Sequence, residues 1–154
     1  MRRLLLTLAL AATATGCVFD DVDRGDNFVP PDLELDEDFF FCQIQPNVVA
    51  PQTCASGQAG EGGTCHSARS SLRLSVAAET DAPPECDSGN VATGVVPASY
   101  QQNFQAVQFT VQSDPTSSAF YRRPIGLDSH PRTIFNESSA EADLIRRWIA
   151  TGGS

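Results

Sequence analysis

The clearest hydrophobic pattern in the chain lies near its C-terminal end. Four apolar residues recur there at helical spacing and form one face of an amphipathic helix: Leu144, Ile145, Trp148 and Ile149. The run is preceded by Ser138 and Ser139, and Glu141 lies at the spacing of a helix-capping box. Gly152 is the residue type that typically ends a helix. The pattern therefore predicts a capped terminal helix.

A second apolar run, between residues 39 and 49, also has helical spacing. Pro46 lies inside this run and Pro51 follows it, and a proline removes a backbone donor and clashes with the preceding helical turn. The segment therefore predicts a first helix that is short or kinked.

Two weaker patterns lie in the middle of the chain. Apolar residues in 100–107 have helical spacing, whereas those in 107–111 alternate with polar residues as in a strand, which predicts a helix followed by a short extended segment. Asp114-Pro115 is typical of the start of another short helix, which Pro124 ends. The patterns together predict a mainly α fold with long loops.

The first sixteen residues have the features of an export signal. Arg2 and Arg3 form a positive end, and the apolar run in 4–14 is too short to stay in a bilayer as a spanning helix. Residues 14–17, Ala-Thr-Gly-Cys, are similar to a bacterial lipobox. That similarity implies cleavage before Cys17 and lipid on this cysteine, which would anchor the protein to a membrane. An ordinary cleaved signal, with Cys17 as a spare thiol, is the alternative.

The expected location is the bacterial cell envelope. Val18, rather than aspartate, follows the cysteine. By resemblance to the sorting rules of lipoproteins, this residue favours the outer membrane. An exported chain is in a compartment that permits disulfides.

Most of the negative charge lies directly after the signal. Of nineteen acidic residues in the chain, nine fall in 18–38, against the single base Arg24. Self-repulsion, together with Pro30 and Pro31, predicts that 17–38 is an extended tether, and its charge disfavours nucleic acid as a partner. The remaining residues, 39–154, are enough for one modest core, which predicts a single domain.

The candidate chemistry lies at Cys54 and Cys65, which ten residues separate, and at His66, which directly follows. Paired cysteines followed by histidine are typical of c-type haem attachment, in which the cysteines bind the porphyrin and the imidazole binds the iron. Gly57 and three further glycines would let the intervening chain loop out. A disulfide between Cys54 and Cys65 remains the alternative.

Two other interpretations of this stretch are weaker. A zinc site built from Cys54, Cys65, His66 and His130 would require both members of one Cys-His dipeptide on a single tetrahedral ion. A phosphate-binding loop over residues 57–64 lacks its lysine, because Gly63 occupies that position.

His130 is the only other histidine in the chain and lies in a predicted loop. Iron bound by His66 has a second axial face, on which cytochromes c commonly have methionine. Met1 is the only methionine and would leave with the signal. His130 is therefore the candidate second ligand.

With these features in order, residues 39–154 resemble the cytochrome c domains of planctomycete-type exported lipoproteins. The matching features are the proline-interrupted first helix, the Cys-His site, a following leucine pair, the segments 114–122 and 130–131, and the terminal Trp148 helix. The resemblance implies a small cytochrome c-like helical domain with one haem c. It further implies an electron carrier that is not an enzyme and that meets a redox protein partner.

The resemblance also implies roles for individual residues. Cys54 and Cys65 would form the thioethers, and His66 would be the proximal ligand. Without methionine, the iron would be held by His66 and His130, and its reduction potential would be lower than with a His/Met pair. Arg122 and Arg123 are candidate partners of the haem propionates.

The extra cysteines Cys42 and Cys86 depart from the family pattern. If Cys54 and Cys65 bind haem, the other two suggest a stapling disulfide, although four cysteines allow three pairings and the sequence does not choose among them. The competing hypothesis is a haem-free lipoprotein of the same fold, stapled by two disulfides and acting as a structural or interaction protein.

Overall fold

The computed structural model describes residues 33–58 and 64–152. The predicted signal peptide, Cys17 and most of the predicted tether lie outside these ranges. Helices dominate the described residues, which confirms the mainly α prediction for them, and the β structure there is one antiparallel bridge between Cys86 and Ala92. In the same residues, no helix is both long enough and apolar enough to cross a membrane.

Within the described residues, four α-helices and four π-helical or 3₁₀ segments follow one another. The α-helices are α1 (Glu37–Phe39), α2 (Ala98–Gln108), α3 (Ala119–Arg122) and α4 (Ala140–Thr151). Two segments are π-helical, Phe40–Val49 and Cys65–Arg69, and two are 3₁₀ turns, Val76–Glu79 and Pro115–Ser117.

The first helix begins as α1 and continues as the π-helical segment through Pro46. The α-helical part is short, as the prolines predict, but the chain does not leave the helix at Pro46. The Ala50 amide bonds to the Gln45 carbonyl at 2.9 Å, five residues back, which is the wider π pattern. Proline lacks the amide that a regular helix uses, and the wider turn carries the helix past it.

The predicted helix forms as α2, but the extended segment predicted from Val107 onward does not begin there. Helix α2 continues to Gln108, and the chain then turns at Phe109, whose side chain is 87% exposed. The alternation that resembled a strand arises because Val107 faces the core from the last turn of α2, whereas Phe109 lies beyond the helix end.

Helix α4 joins the two ends of the described fold. Ser139 caps it by accepting a hydrogen bond from the Ala142 amide, and Gly152 ends it with a left-handed backbone, φ +67°. A Cβ at this glycine would lie 2.8 Å from the Glu34 carbonyl oxygen, so the close approach requires glycine. The Trp148 indole donates a 2.9 Å hydrogen bond to the Asp36 carbonyl. The fold therefore includes residues that the sequence assigns to the tether.

The core forms where the first helix meets α2 and α4. The Phe40 ring lies 5.5 Å from that of Phe104 and 5.3 Å from that of Trp148, and Phe120 contacts the same tryptophan. Of the four residues predicted to form the buried stripe of α4, three are buried and Leu144 is half-buried, whereas Ala142 is buried as well.

A buried amide pair ties the helices to the loop before α2. The Asn103 side-chain amide donates to the Gln45 carbonyl oxygen at 3.0 Å, and Gln45 donates to the Ala78 carbonyl at 3.0 Å. The Asn103 side-chain oxygen accepts from the Ser75 amide at 2.7 Å. This chain of bonds fixes the Val76–Glu79 turn relative to the core. A disulfide joins Cys42, in the first helix, to Cys86. It is the pairing that the two extra cysteines suggested.

Candidate functional site

The backbone brings Cys54 directly beside His66, although the loop between the two cysteines is long. The His66 amide donates to the Cys54 carbonyl at 3.1 Å, and the Ser67 amide donates to the Ala55 carbonyl at 3.0 Å. In a compact Cys-x-x-Cys-His motif, the histidine lies four residues after the first cysteine, which is the spacing of an α-helical hydrogen bond. The same bond forms here because residues 54–55 and 66–67 lie side by side.

The His66 ring is oriented by Ser70. Nδ1 of His66 lies 2.7 Å from the Ser70 hydroxyl, which itself donates to the Leu72 carbonyl at 2.7 Å. Because that hydroxyl proton is used on the carbonyl, Nδ1 must carry the proton of the imidazole. Nε2 of the neutral ring is then an unprotonated ligand nitrogen.

The His130 ring has the same arrangement with a different acceptor. Its Nδ1 lies 2.6 Å from the Arg132 backbone carbonyl. A carbonyl can only accept, so Nδ1 carries the proton and Nε2 keeps a lone pair when the ring is neutral. The guanidinium of Arg132 donates to the Gln52 carbonyl at 2.9 Å. One residue therefore orients His130 and ties its loop to the segment before Cys54.

The two histidine rings lie near each other with near-parallel planes. Their centroids lie 6.0 Å apart and their planes differ by 16°. A metal–imidazole bond is about 2 Å long, so a metal between two rings separates their centroids by about 6 Å once the ring radii are added. Histidines that bind metal characteristically donate the other ring N–H to a carbonyl or a similar acceptor. His66 and His130 are therefore the two described residues that would hold a haem iron, and the separation of their rings is compatible with that role.

The surroundings keep His66 neutral. Burial lowers the pKa of His66 below its ordinary value, and the nearby His130 and Arg123 lower it further, while a hydrogen bond involving the Leu72 backbone opposes the shift. A neutral imidazole is the form that binds metal.

The cysteines flanking the loop are both thiols, and each is half-buried. Burial raises the pKa of the Cys54 thiol to about 12, with further increases from Glu79 and Cys65 and an opposing effect of Arg132. Cys54 is therefore protonated at neutral pH.

Glu79 holds the turn that follows Cys54. One carboxylate oxygen accepts from the Ala55 amide at 2.8 Å and from the Ser56 amide at 3.0 Å, and the other accepts from the Ser56 hydroxyl at 2.6 Å. Neither Glu79 nor Ser70 was predicted from the sequence to be a site residue. Both contacts depend on how separate turns meet, and no local pattern signals them.

The backbone just before Cys54 is strained. Thr53 has φ +49°, a left-handed conformation that is a genuine outlier for a β-branched residue. Such a conformation costs about 1–3 kcal/mol and persists only where the surroundings impose it. It lies between the carbonyl bound by Arg132 and the amides bound by Glu79.

The two arginines suggested as propionate partners lie in different environments. Arg122 forms a two-pronged ion pair with Asp128, both distances being 2.9 Å, and also donates to the Thr116 carbonyl. Its guanidinium is therefore occupied within the protein. Arg123 is near enough to His66 to lower its pKa and is the better placed of the two.

The described residues contain no cluster of three or more His, Cys, Asp and Glu side chains arranged to hold a metal ion. A four-ligand zinc site at Cys54, Cys65, His66 and His130 therefore gains no support. Haem iron needs only two axial protein ligands, because the porphyrin supplies the others.

No protein-family model matches the chain, and neither a curated protein nor a solved structure matches it. The chemistry of the site therefore rests on its own geometry.

Proposed function

We propose that this protein is a c-type cytochrome-like lipoprotein with one covalent haem, which carries electrons in the bacterial cell envelope. The observation that supports this most strongly is the histidine pair. His66 and His130 lie 6.0 Å apart with near-parallel rings, and each has its Nδ1 within hydrogen-bond distance of a group that leaves Nε2 for a metal.

The position of Cys54 supports covalent attachment. The Cys54 carbonyl accepts a hydrogen bond from the His66 amide, as the first cysteine of a compact attachment motif would do in a helical turn. The long spacer is then a loop added to the motif, not a disruption of it. Cys54 and Cys65 would bind the porphyrin, and His66 and His130 would bind the iron.

When bound, the haem would supply one-electron redox chemistry. The protein residues would then set its potential and orientation. Two imidazole ligands in place of a His/Met pair would lower the reduction potential. A hydrogen bond donated by Nδ1–H makes each imidazole a stronger ligand, which would lower the potential further. Arg123 is the candidate partner for a propionate.

Anchoring to the membrane belongs to the same proposal. The positive start, the short apolar run and the small residues before Cys17 support a lipoprotein signal, with the outer membrane as the destination. Acyl chains on Cys17 would hold the domain at the surface, and the acidic segment would let it reach a redox protein partner nearby.

A haem-free lipoprotein with a structural or interaction role is the second candidate. The supporting observation is that the protein satisfies its own buried polar groups. Within the described residues, no buried side-chain nitrogen or oxygen lacks a hydrogen-bond partner. The Cys42–Cys86 disulfide would serve this protein equally well.

The test is to export the full chain in cells that attach haem covalently and to measure its intact mass after acid denaturation. We expect the mass of the chain plus one haem, with a Soret band that stays with the unfolded protein. The double substitution Cys54→Ser, Cys65→Ser should lose both signals, whereas Cys42→Ser, Cys86→Ser should retain them. A colourless wild-type protein, with the mass of a haem-free chain that contains two disulfides, would favour the second candidate.

A further inference from the structure

The turn that presents Cys54 is held from both sides by charged side chains that come from distant parts of the chain. Arg132 binds the Gln52 carbonyl on one side, and Glu79 binds the Ala55 and Ser56 amides on the other. Hydrogen bonds to charged groups are about twice as strong as neutral ones. The two side chains therefore fix the backbone immediately before and after the cysteine.

This double hold explains how the strained backbone of Thr53 persists. Thr53 lies between the two held segments, and its carbonyl also accepts a 2.6 Å hydrogen bond from the Gly57 amide. A left-handed threonine would relax if its neighbours were free to move. Contacts from outside the turn therefore hold it in place, and Glu79 makes three of them.

Glu79 is itself fixed by the core. It ends the Val76–Glu79 turn, in which the buried Ala78 offers its carbonyl to the buried Gln45 side chain. The carboxylate therefore projects from a point that is anchored to the first helix and, through Asn103, to α2. Its position does not depend on the loop between the cysteines.

We infer that Glu79 is a positioning residue for haem attachment, an inference that rests on the proposed function. In a compact motif, two spacer residues fix the distance between the cysteines. Here the spacer is ten residues long and cannot fix that distance. Glu79 instead restrains Cys54 by binding the two backbone amides that follow it. The Cys54 thiol can then add across a vinyl group. The sulfur bonds to one vinyl carbon, the thiol hydrogen passes to the other, and no electrons are exchanged.

The first part of the test needs no haem. In the reduced chain before attachment, Glu79→Ala should increase hydrogen exchange at the Ala55 and Ser56 amides about tenfold or more, because each loses a bond to a charged acceptor. It should also speed alkylation of Cys54 relative to Cys65. Glu79→Gln keeps one acceptor oxygen and should give an intermediate result.

The second part counts thioether bonds in the exported full-length protein. The α band of the pyridine haemochrome moves to longer wavelength when one vinyl group stays unreacted, and the mass of the haem peptide identifies the cysteine that is bound. For Glu79→Ala we expect at least about a tenfold loss of doubly attached haem, with the remaining haem bound through Cys65 alone. Ser56→Ala removes only the hydroxyl contact and should have a smaller effect.

Glu85→Gln is the matched control, because it removes a carboxylate from an exposed side chain in the same region. Circular dichroism and Trp148 fluorescence establish that each variant folds. Double attachment that is undiminished in folded Glu79→Ala would overturn the inference and leave the proposed function standing. A wild-type chain without covalent haem would overturn both the proposed function and this role, even if amide exchange still detects the contact between Glu79 and the turn.

Discussion

The backbone amide of His66 donates a hydrogen bond to the carbonyl of Cys54, although ten residues separate the two cysteines. In a compact motif the histidine follows the first cysteine by four residues, and an α-helical turn would join the same two backbone groups. The ten-residue spacer therefore does not prevent the contact between Cys54 and His66.

Shortening the loop tests this relationship. Deleting residues 56–63 leaves Cys54-Ala55-Thr64-Cys65-His66, a compact spacing. We expect the deletion protein to keep its covalent haem and its visible spectrum, because the amide of His66 can still reach the carbonyl of Cys54. The measurement is the ratio of haem absorbance to protein in the purified exported chain.

A deletion one residue shorter, of residues 56–62, leaves three residues between the cysteines and places His66 five residues after Cys54 instead of four. This control should lose double attachment. If both deletions abolish attachment equally, the loop itself takes part in it, and the compact-motif interpretation is wrong.

Ser70→Ala removes the acceptor for the Nδ1 proton of His66. Loss of one hydrogen bond in this half-buried position should cost about 0.5–1.5 kcal/mol of stability. The imidazole also becomes a weaker ligand for ferric iron, so the midpoint potential should become more positive. Potentiometric titration measures this shift. Ser71→Ala, at the exposed next residue, should leave both quantities unchanged; an equal shift there would argue against a specific role for Ser70.

The stability of the haem-free chain should fall on mild acidification. The pKa of His66 in the fold is below its unfolded value of 6.5, because burial, His130 and Arg123 disfavour its charged form. As the pH falls through 6.5, the unfolded chain binds the proton more readily than the folded one, so stability present above this pH is lost below it.

Urea unfolding at about pH 7.5 and about pH 5.5 spans the ordinary histidine pKa and measures this loss. His66→Gln cannot titrate and should lose less stability between the two conditions. An identical loss in wild type and variant would assign the acid sensitivity to other groups.

The buried amide pair should be important for folding. Asn103→Leu keeps a similar size but leaves the Ser75 amide and the Gln45 side-chain oxygen without their partner. We expect a loss of about 2–4 kcal/mol in the free energy of unfolding, because two buried polar groups lose their hydrogen bonds. Asn47→Leu, on the exposed side of the first helix, should change it by less than about 0.5 kcal/mol. A small effect at Asn103 would mean that water replaces the lost bonds.

The terminal helix could be predicted from the sequence because its signals are local. The apolar stripe, the serine cap and Gly152 all act within one helix, and α4 has each of them. The π-helical form of 40–49 could not be predicted in this way, since apolar spacing looks alike for α and π turns. The exposure of Phe109 depends on where α2 ends, which the alternating pattern does not specify.

The candidate site, too, could be predicted only in part from local sequence signals. The dipeptide Cys65-His66 and the loop histidine His130 could be selected from residue type and spacing. The contacts that orient them could not, because Ser70, Glu79 and Arg132 act across turns whose meeting is determined by the core. Side chains that support a site carry no spacing rule of their own, which is why the sequence did not identify them.

Electron paramagnetic resonance of the oxidised protein tests most directly whether His66 and His130 hold one iron between them. The two ring planes lie 16° apart. Near-parallel axial imidazoles give low-spin ferric haem a rhombic spectrum, whereas perpendicular rings give a strongly anisotropic one. We predict a low-spin rhombic spectrum that becomes high-spin in His130→Ala. A high-spin spectrum in the wild-type protein, or no haem signal at all, would contradict the account.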